Sequence, residues 1–185
     1  EGDSENSAPF DDQGGRFQSV YGASMLTGLA VGAQLTGIRF RLNTGQEAFD
    51  ATTIENFEIR LSTSANEPEA LSTTFADNRG SDEVIVRTGS LSIAADDYPV
   101  DGEPNDFGPT IEFSTPFVYA GGSLLLEIGY SEVPSGAKLV DKIYQDPNVT
   151  LDSESVYADT GFNATSANVG RVVDLIVVEY VFTEP

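Results

Sequence analysis

Apolar and polar residues alternate with a period of two along most of this chain. In residues 34–42 (QLTGIRFRL), Ile38 and Phe40 share one face while Arg39 lies on the other, and residues 54–62 (IENFEIRLS) repeat the pattern. Such alternation is typical of half-buried antiparallel strands. Further strands are predicted at Glu83–Ile93, Thr110–Phe113, Phe117–Tyr119, Ser123–Tyr130, Lys138–Tyr144 and Ser153–Tyr157.

Turn residues separate these runs, as at Gly121-Gly122 and at 134–136. Eight to ten short strands at this spacing predict an all-β, antiparallel two-sheet sandwich of the jelly-roll type. Residues 21–33 contain three glycines, so we expect a loop or a single short turn there. The domain organisation that follows is an acidic N-terminal extension, residues 1–15, and a β-sandwich domain, residues 16–185.

The charged residues of the alternating strands should point away from the core. The alternation predicts this outward position for Arg39, Arg41, Glu58 and Arg60. The last run, Arg171–Phe182 (RVVDLIVVEYVF), differs because both faces of its middle are apolar. It is therefore predicted to be either a central strand of a sheet covered on both sides or a strand exposed for assembly.

Charge narrows the possible functions more than any motif does. Thirty Asp and Glu stand against nine Lys and Arg, which gives a net charge of -21, and the chain has no His, Cys or Trp. An acidic protein of this kind repels nucleic acid and anionic lipid. Without His or Cys it also lacks the usual neutral-pH base, any thiolate nucleophile and the common zinc ligands. The remaining oxygen ligands suit hard cations such as Ca²⁺.

The acidic residues are concentrated in three segments that contain no basic residue. Residues 1–15, 88–137 and 143–170 hold seventeen of the carboxylates. The densest cluster, DDYPVDGEPND, is a candidate Ca²⁺ loop, with a solvated acidic loop as the alternative. Its candidate ligands are Asp96, Asp97, Asp101, Glu103 and Asp106. A second candidate comprises Asp77 and Asp82, which could equally stabilise their own turn.

The sequence offers little for catalysis, so we expect that the protein is not an enzyme. Glu112 and Glu127 are the strand-borne carboxylates that a glycosidase could use, but the alternation predicts that both are ordinary outward residues. Lys138 and Lys142 could each form a Ser-Lys pair, although neither lies in a recognisable motif. Two possible glycosylation sequons begin at Asn148 and Asn163. No run of about 18 apolar residues exists, so the chain is predicted not to span a membrane.

Several stretches resemble the extracellular domains of PEP-CTERM proteins, the exosortase-sorted surface proteins of Gram-negative bacteria. The resemblance covers roughly Arg16–Phe182 and is carried by LSTTFADNRGSD (residues 71–82), STPFVY (114–119), GSLLLEI (122–128) and SVYA (155–158). It implies a sandwich fold and a bacterial extracellular or cell-surface location, and no catalytic residue. The sorting signal of that family does not follow Thr183-Glu184-Pro185, so we expect it to have been cleaved or the chain to be secreted unanchored.

Two functions are consistent with these features. The first is a structural subunit of a bacterial surface fibre or biofilm matrix, a homopolymer held by exchange of strands or termini and stabilised by Ca²⁺. In that case residues 1–15 would dock on a neighbouring subunit, whereas docking on their own sandwich would leave a monomer. The alternative is a carbohydrate-binding module, with polysaccharide as the partner. Its candidate stacking residues are Tyr21, Tyr98, Tyr119, Tyr130, Tyr144, Tyr157 and Tyr180.

Overall fold

The computed structural model describes residues 2, 4–144, 152–172 and 174–185 as an all-β fold in which every strand pair is antiparallel. Its strands are β1 Ser4–Asn6, β2 Gly15–Tyr21, β3 Gln34–Phe40, β4 Thr52–Ile54, β5 Phe57–Thr63, β6 Val84–Arg87, β7 Leu91–Ile93, β8 Ile111–Val118, β9 Leu124–Tyr130, β10 Val140–Tyr144, β11 Ser153–Ala158, β12 Val169–Val172, β13 Asp174–Ile176 and β14 Val178–Thr183. Two 3₁₀ turns, Ala23–Leu26 and Phe75–Asn78, are the helical elements of this part of the chain. None of its helices is long and apolar enough to cross a membrane.

One six-stranded sheet forms the first layer of the sandwich, in the order β12-β11-β2-β9-β5-β6. The alternation of its sequence places Phe17, Ile59 and Ile128 on the inner face, where all three are buried. The second layer contains the sheet β14-β3-β8 and the sheet β1-β10-β13. These two sheets meet where Leu42 forms a bridge with Val140. The predicted all-β antiparallel sandwich is therefore confirmed.

The main core lies between the layers. Its centre contains a cluster of aromatic rings in which Phe10 makes edge-to-face contacts with Phe40, Phe49 and Tyr98 at centroid distances of 5.8, 5.2 and 5.5 Å. Edge-to-face geometry is the favoured arrangement for such rings. The small sheet β4-β7 adds Ile54 to the same core.

A second, smaller core covers the outer face of the six-stranded sheet. Residues 64–83 and 159–168 lie over this face and are joined to each other, since Phe75 N–H donates to Thr165 O at 3.1 Å and Ala167 N–H to Thr73 O at 2.7 Å. Leu71 and Phe75 pack there against Val20, Leu125, Val156 and Ala158. As a consequence every residue of β2 and β9 is buried, on both faces.

The last apolar run differs from the single strand that its pattern predicted. Residues 169–183 divide into three short strands in three different sheets: β12 in the six-stranded sheet, β13 beside β10, and β14 beside β3. Successive described parts of this run thus belong to different sheets. The prediction of one central strand is wrong, and β14 is instead an edge strand among the described residues.

Smaller differences concern strand bounds and one charged residue. The run 83–93 divides into β6 and β7, 110–119 is continuous as β8, and β2 was not predicted. Residues 21–33 contain the single short turn that was expected. Arg41, predicted to point outward, is buried because its Nε donates to Asp141 Oδ2 at 2.6 Å and its guanidinium lies 5.3 Å from the Phe107 ring centroid.

Candidate functional site

Residues 4–14, the N-terminal segment, dock along the second layer of their own sandwich. Strand β1 pairs with β10 in the register Ser4–Lys142, Glu5–Asp141 and Asn6–Val140. Next to this pairing, Asn43 Nδ2 donates to Glu5 Oε2 at 2.9 Å. The segment predicted as an acidic extension therefore extends a sheet as its edge strand.

Phe10 anchors the N-terminal segment in the core. Its side chain is fully buried, and the backbone on either side is fixed because Lys138 N–H donates to Phe10 O at 2.9 Å and Val133 N–H to Asp11 O at 3.0 Å. Residues near a chain terminus are mobile unless contacts hold them. Here the buried ring of Phe10 and the short β1-β10 ladder hold the N-terminal segment.

A single tight connection leads from the N-terminal segment to β2. Gly14 has a φ of +73°, and a Cβ there would lie 2.9 Å from backbone atoms of residues 130–132. Only glycine adopts this conformation without steric cost. The segment is thus joined to the six-stranded sheet by a sharp turn, while its strand β1 pairs in the other layer.

Glu127 forms the centre of a buried ion-pair network on the outer face of the six-stranded sheet. Its carboxylate is 1% exposed and accepts from Arg79 Nε at 2.8 Å, from Arg79 Nη2 at 2.7 Å and from Gln18 Nε2 at 2.6 Å. Arg16 Nη1 also donates to Glu127 Oε1. The prediction that Glu127 points outward as an ordinary surface residue is wrong, because residues 64–83 cover the face on which it lies.

Charges around this centre are also paired. Arg16 Nη2 donates to Glu58 Oε1 at 3.1 Å, and Arg60 Nε donates to the same oxygen at 2.9 Å. Burial alone would raise the pKa of Glu58, but hydrogen bonds and charge from Arg60 and Arg16 outweigh it and hold this pKa below its ordinary value. The bidentate hydrogen bond to Glu127 raises the pKa of Arg79. The arrangement is that of a structural network that joins β2, β5 and β9 to the covering segment.

Glu112, the other carboxylate considered for catalysis, is exposed on β8 as predicted. It lies on a different layer from Glu127, which is fully engaged with arginines. The structure therefore does not bring the two carboxylates together across a cleft. Lys138 has its Nζ 5.9 Å from the Phe49 ring centroid, and Lys142 lies on β10.

The predicted calcium loop, residues 96–106, is held to the sandwich by hydrogen bonds of a side-chain amide rather than of its carboxylates. Asn105 is buried, and its Nδ2 donates to Leu42 O at 3.0 Å and to Asn43 O at 3.2 Å. Asp97 Oδ2 accepts from Ala94 N–H at 2.7 Å. The other candidate ligands of this loop are all exposed: Asp96, Asp101, Glu103 and Asp106.

Asp77 and Asp82 each accept hydrogen bonds from other residues of the chain. Asp82 accepts from Thr63 N–H at 2.9 Å and from Thr63 Oγ1 at 2.7 Å, and Asp77 Oδ2 accepts from Ser72 Oγ at 3.0 Å. The bond of Asp77 lies within its own loop, whereas Asp82 joins its turn to β5, 19 residues earlier in the chain. Within the part of the chain that the structure describes, no three acidic residues are grouped so as to hold a metal ion. Calcium binding stays a prediction.

The remaining candidates have separate positions. Asn163 is exposed, as a glycosylation site must be, and Asn148 lies outside the described residues. Among the tyrosines, Tyr21, Tyr98, Tyr119 and Tyr130 are buried, Tyr157 and Tyr180 are partly exposed, and the side chain of Tyr144 is not described. Comparison of the chain with protein-family models, with curated proteins and with solved structures finds no match.

Proposed function

We propose that this protein is an extracellular structural subunit of a bacterial surface fibre or biofilm matrix, in which neighbouring copies exchange the N-terminal segment. In the single chain the segment docks on its own sandwich, which is the arrangement expected of a monomer, and the observation that carries the proposal is the manner of this docking. The segment extends the sheet β1-β10-β13 and inserts Phe10 into the core, yet it is joined to its own chain through one turn at Gly14.

Exchange needs no new contact surface. The partners of the segment described above all lie outside it, in other parts of the sandwich: β10, the rings of Phe40, Phe49 and Tyr98, the backbone N–H groups of Val133 and Lys138, and the Asn43 amide. A segment from a second copy that enters the same groove would form the same β-ladder and ring contacts. Repetition of this contact from copy to copy, head to tail, generates an open chain of subunits.

The edge strands favour ordered assembly over indiscriminate pairing. Strand β14, at the edge of its sheet in the described residues, carries the exposed Glu179, and β1 carries the exposed Glu5. Charged side chains on edge strands discourage random strand addition. Association would then depend on the specific fit of the N-terminal segment.

The charge and the resemblance to PEP-CTERM surface domains support an extracellular setting. A net charge of -21 in a chain without Cys is compatible with a saline exterior in which cations screen the carboxylates. Exposed carboxylates of residues 96–106 would recruit Ca²⁺ from such a medium and so reduce repulsion between assembled subunits.

Light scattering and negative-stain electron microscopy of the purified full chain, with CaCl₂ and with chelator, test this function. The proposal predicts head-to-tail oligomers or filaments at high protein concentration, more abundant with Ca²⁺. A monodisperse monomer under both conditions would contradict it. Filaments that persist in chelator would support the proposed assembly but contradict the role of Ca²⁺ in it.

A further inference from the structure

A polar cleft of about 260 Å³ opens where the N-terminal segment passes the end of the six-stranded sheet. Residues 5–8 and Asp11 form one side, and Tyr130, Tyr157 and Asp159 form the other, with Lys142 beside them. The two walls come from different layers of the sandwich, so the cleft is the gap between the sheets at this end. It lies apart from the Glu127 network and from the acidic loop 96–106.

Tyr130 presents an unused hydroxyl to this cleft. The residue is only 5% exposed, and among the described residues its hydroxyl takes part in no hydrogen bond. Burial, together with the nearby carboxylates of Asp11 and Asp159, raises the pKa of Tyr130, so the hydroxyl keeps its proton and can donate it. The hydroxyl oxygen is reached from the cleft, so a ligand there can exchange hydrogen bonds with it.

Gly15 makes the position of the Tyr130 ring possible. Gly15 pairs with Tyr130 across the β2-β9 ladder, and a Cβ at Gly15 would lie 3.1 Å from the Tyr130 hydroxyl oxygen and 2.6 Å from Ala158 O. Any larger residue would therefore push the ring or the strand out of place. The Tyr130 hydroxyl therefore packs closely against β2 at Gly15.

Two carboxylates, which lie on separate segments of the chain, line the cleft near the Tyr130 hydroxyl. Asp11 Oδ1 accepts from Gln13 N–H at 2.7 Å, and Asp159 Oδ1 accepts from Asn168 Nδ2. A carboxylate offers about four acceptor sites, so both retain capacity for a ligand. Each is oriented by a donor of its own loop, and the two come from opposite walls of the cleft.

Tyr157 adds an apolar surface to these polar groups. It lies on β11 and is partly exposed, so one part of its ring is accessible from the cleft. A ligand that matches this lining has several hydroxyl groups to donate to the carboxylates and to accept from Tyr130, and an apolar face for the ring. That combination is the chemistry of a sugar ring.

We propose that this cleft binds one neutral sugar unit of a carbohydrate, held by the hydroxyl of Tyr130, the carboxylates of Asp11 and Asp159, and the ring of Tyr157. A neutral sugar fits better than an anionic one because carboxylates from both walls face the cleft. The site is complete within one chain and is therefore independent of subunit exchange. In an exchanged assembly, the incoming segment would rebuild the same wall.

Saturation-transfer NMR and calorimetric titration with four probes test the site: the methyl glycosides of glucose, galactose, mannose and N-acetylglucosamine. At least one is expected to bind, and Tyr130→Phe, which removes only the hydroxyl, should weaken that binding by about tenfold. Asp159→Asn, at an exposed residue, should weaken it as well. Tyr119→Phe is the matched control, because the Tyr119 hydroxyl donates to Gly122 O at 2.7 Å away from the cleft.

Two results would overturn the proposal: no binding of any of the four glycosides, or binding that Tyr130→Phe and Asp159→Asn both leave unchanged. Thermal unfolding of each variant shows whether it is folded. If Tyr130→Phe does not fold, Asp159→Asn still tests the site. Because the measurement is made on dilute monomer, its failure is distinguishable from a failure to assemble.

Discussion

At the scale of single residues, Glu127 is the unusual feature of this chain. A carboxylate in the middle of a fully buried strand loses its hydration, which only close, well-directed partners can offset. Arg79 supplies two parallel hydrogen bonds, Gln18 a third, and Arg16 a further one. Gln18 is itself fixed by Asn78, whose Nδ2 donates to Gln18 Oε1 at 2.8 Å. The burial of Glu127 therefore depends on residues distant in sequence.

Removal of this charge should destabilise the fold strongly. Glu127→Gln removes one of the two carboxylates that pair with the buried Arg16 and the carboxylate that makes two hydrogen bonds with Arg79, and loss of one partner of a buried pair costs about 3 to 5 kcal/mol. Urea unfolding measures the difference in free energy. Glu112→Gln, the same change at an exposed glutamate on β8, is the matched control and should stay within about 0.5 kcal/mol of the parent protein. Equal effects of the two changes would contradict the network.

Glu58 should make the free energy of unfolding depend on pH in the acidic range. Its pKa in the folded protein lies below the ordinary value of 4.5, so the unfolded chain binds this proton more readily than the folded one does. The stabilisation by Glu58 is therefore present above pH 4.5 and is lost as the pH falls through the lower, folded-state pKa. Glu58→Gln should be less stable than the parent protein at pH 7, and the difference should shrink below pH 4.5. Urea unfolding across this range measures it, and a constant difference would refute the linkage.

At the scale of elements, the N-terminal segment contributes to stability mainly through one side chain. Phe10→Ala leaves a cavity among Phe40, Phe49 and Tyr98, and such truncations cost about 3 to 5 kcal/mol. Phe182→Ala, on the exposed edge strand β14, removes the same group from a site that is 37% exposed and should cost much less. Chemical unfolding of both variants measures the contrast. If Phe10→Ala costs no more than Phe182→Ala, the segment is not anchored as described.

The sequence predicted those elements that have one buried and one polar face. Strands β3 and β5 follow their alternation closely, since Ile38 and Ile59 are buried, whereas β9 is buried on both faces. Strand β2 was missed because Arg16 and Gln18 interrupt its apolar pattern, although both are buried. The burial of these polar residues arises from the cover formed by residues 64–83 and 159–168, which no local pattern reveals.

A weak signal for the Glu127 network was present. Leu125 lies two residues before Glu127 and therefore on the same face, and Val20 lies two residues after Gln18 on the neighbouring strand. Apolar residues on a supposedly solvated face indicate that something covers it. The identity of the cover, and the arginine that it brings to Glu127, follow only from the tertiary fold. The same holds for the cleft at Tyr130, whose walls come from segments distant in the sequence.

At the scale of the whole molecule, the few basic residues are already engaged. Arginines whose side chains are described contact a carboxylate or a ring: Arg16, Arg39, Arg41, Arg60 and Arg79 form ion pairs, and Arg87 lies 6.0 Å from the Phe57 ring centroid. The exposed loops therefore carry carboxylates with few counter-charges. Self-repulsion of this kind destabilises a compact state.

Salt should consequently stabilise the protein. Addition of NaCl from about 0.01 M to about 1 M shortens the Debye length from roughly 30 Å to roughly 3 Å, which screens repulsion between the acidic loops. The melting temperature measured by circular dichroism should rise across this range. A larger rise with CaCl₂ at equal ionic strength would indicate specific binding of Ca²⁺, whereas a melting temperature that falls or does not change with NaCl would contradict the repulsion argument.

Exchange of the N-terminal segment is tested most directly by a disulfide across the β1-β10 ladder. Ser4 and Lys142 are paired in its register, and the chain contains no cysteine, so Ser4→Cys with Lys142→Cys provides the only thiols. Thr53→Cys with Ser92→Cys, across the β4-β7 pair, is the control, because that pair lies within one sandwich. Both proteins are concentrated, oxidised and run on a denaturing gel without reductant.

The account predicts a ladder of covalent oligomers for the first pair and a single monomer band for the control. A single monomer band for both proteins, with all thiols consumed, would show that the segment stays on its own chain and would contradict assembly by exchange.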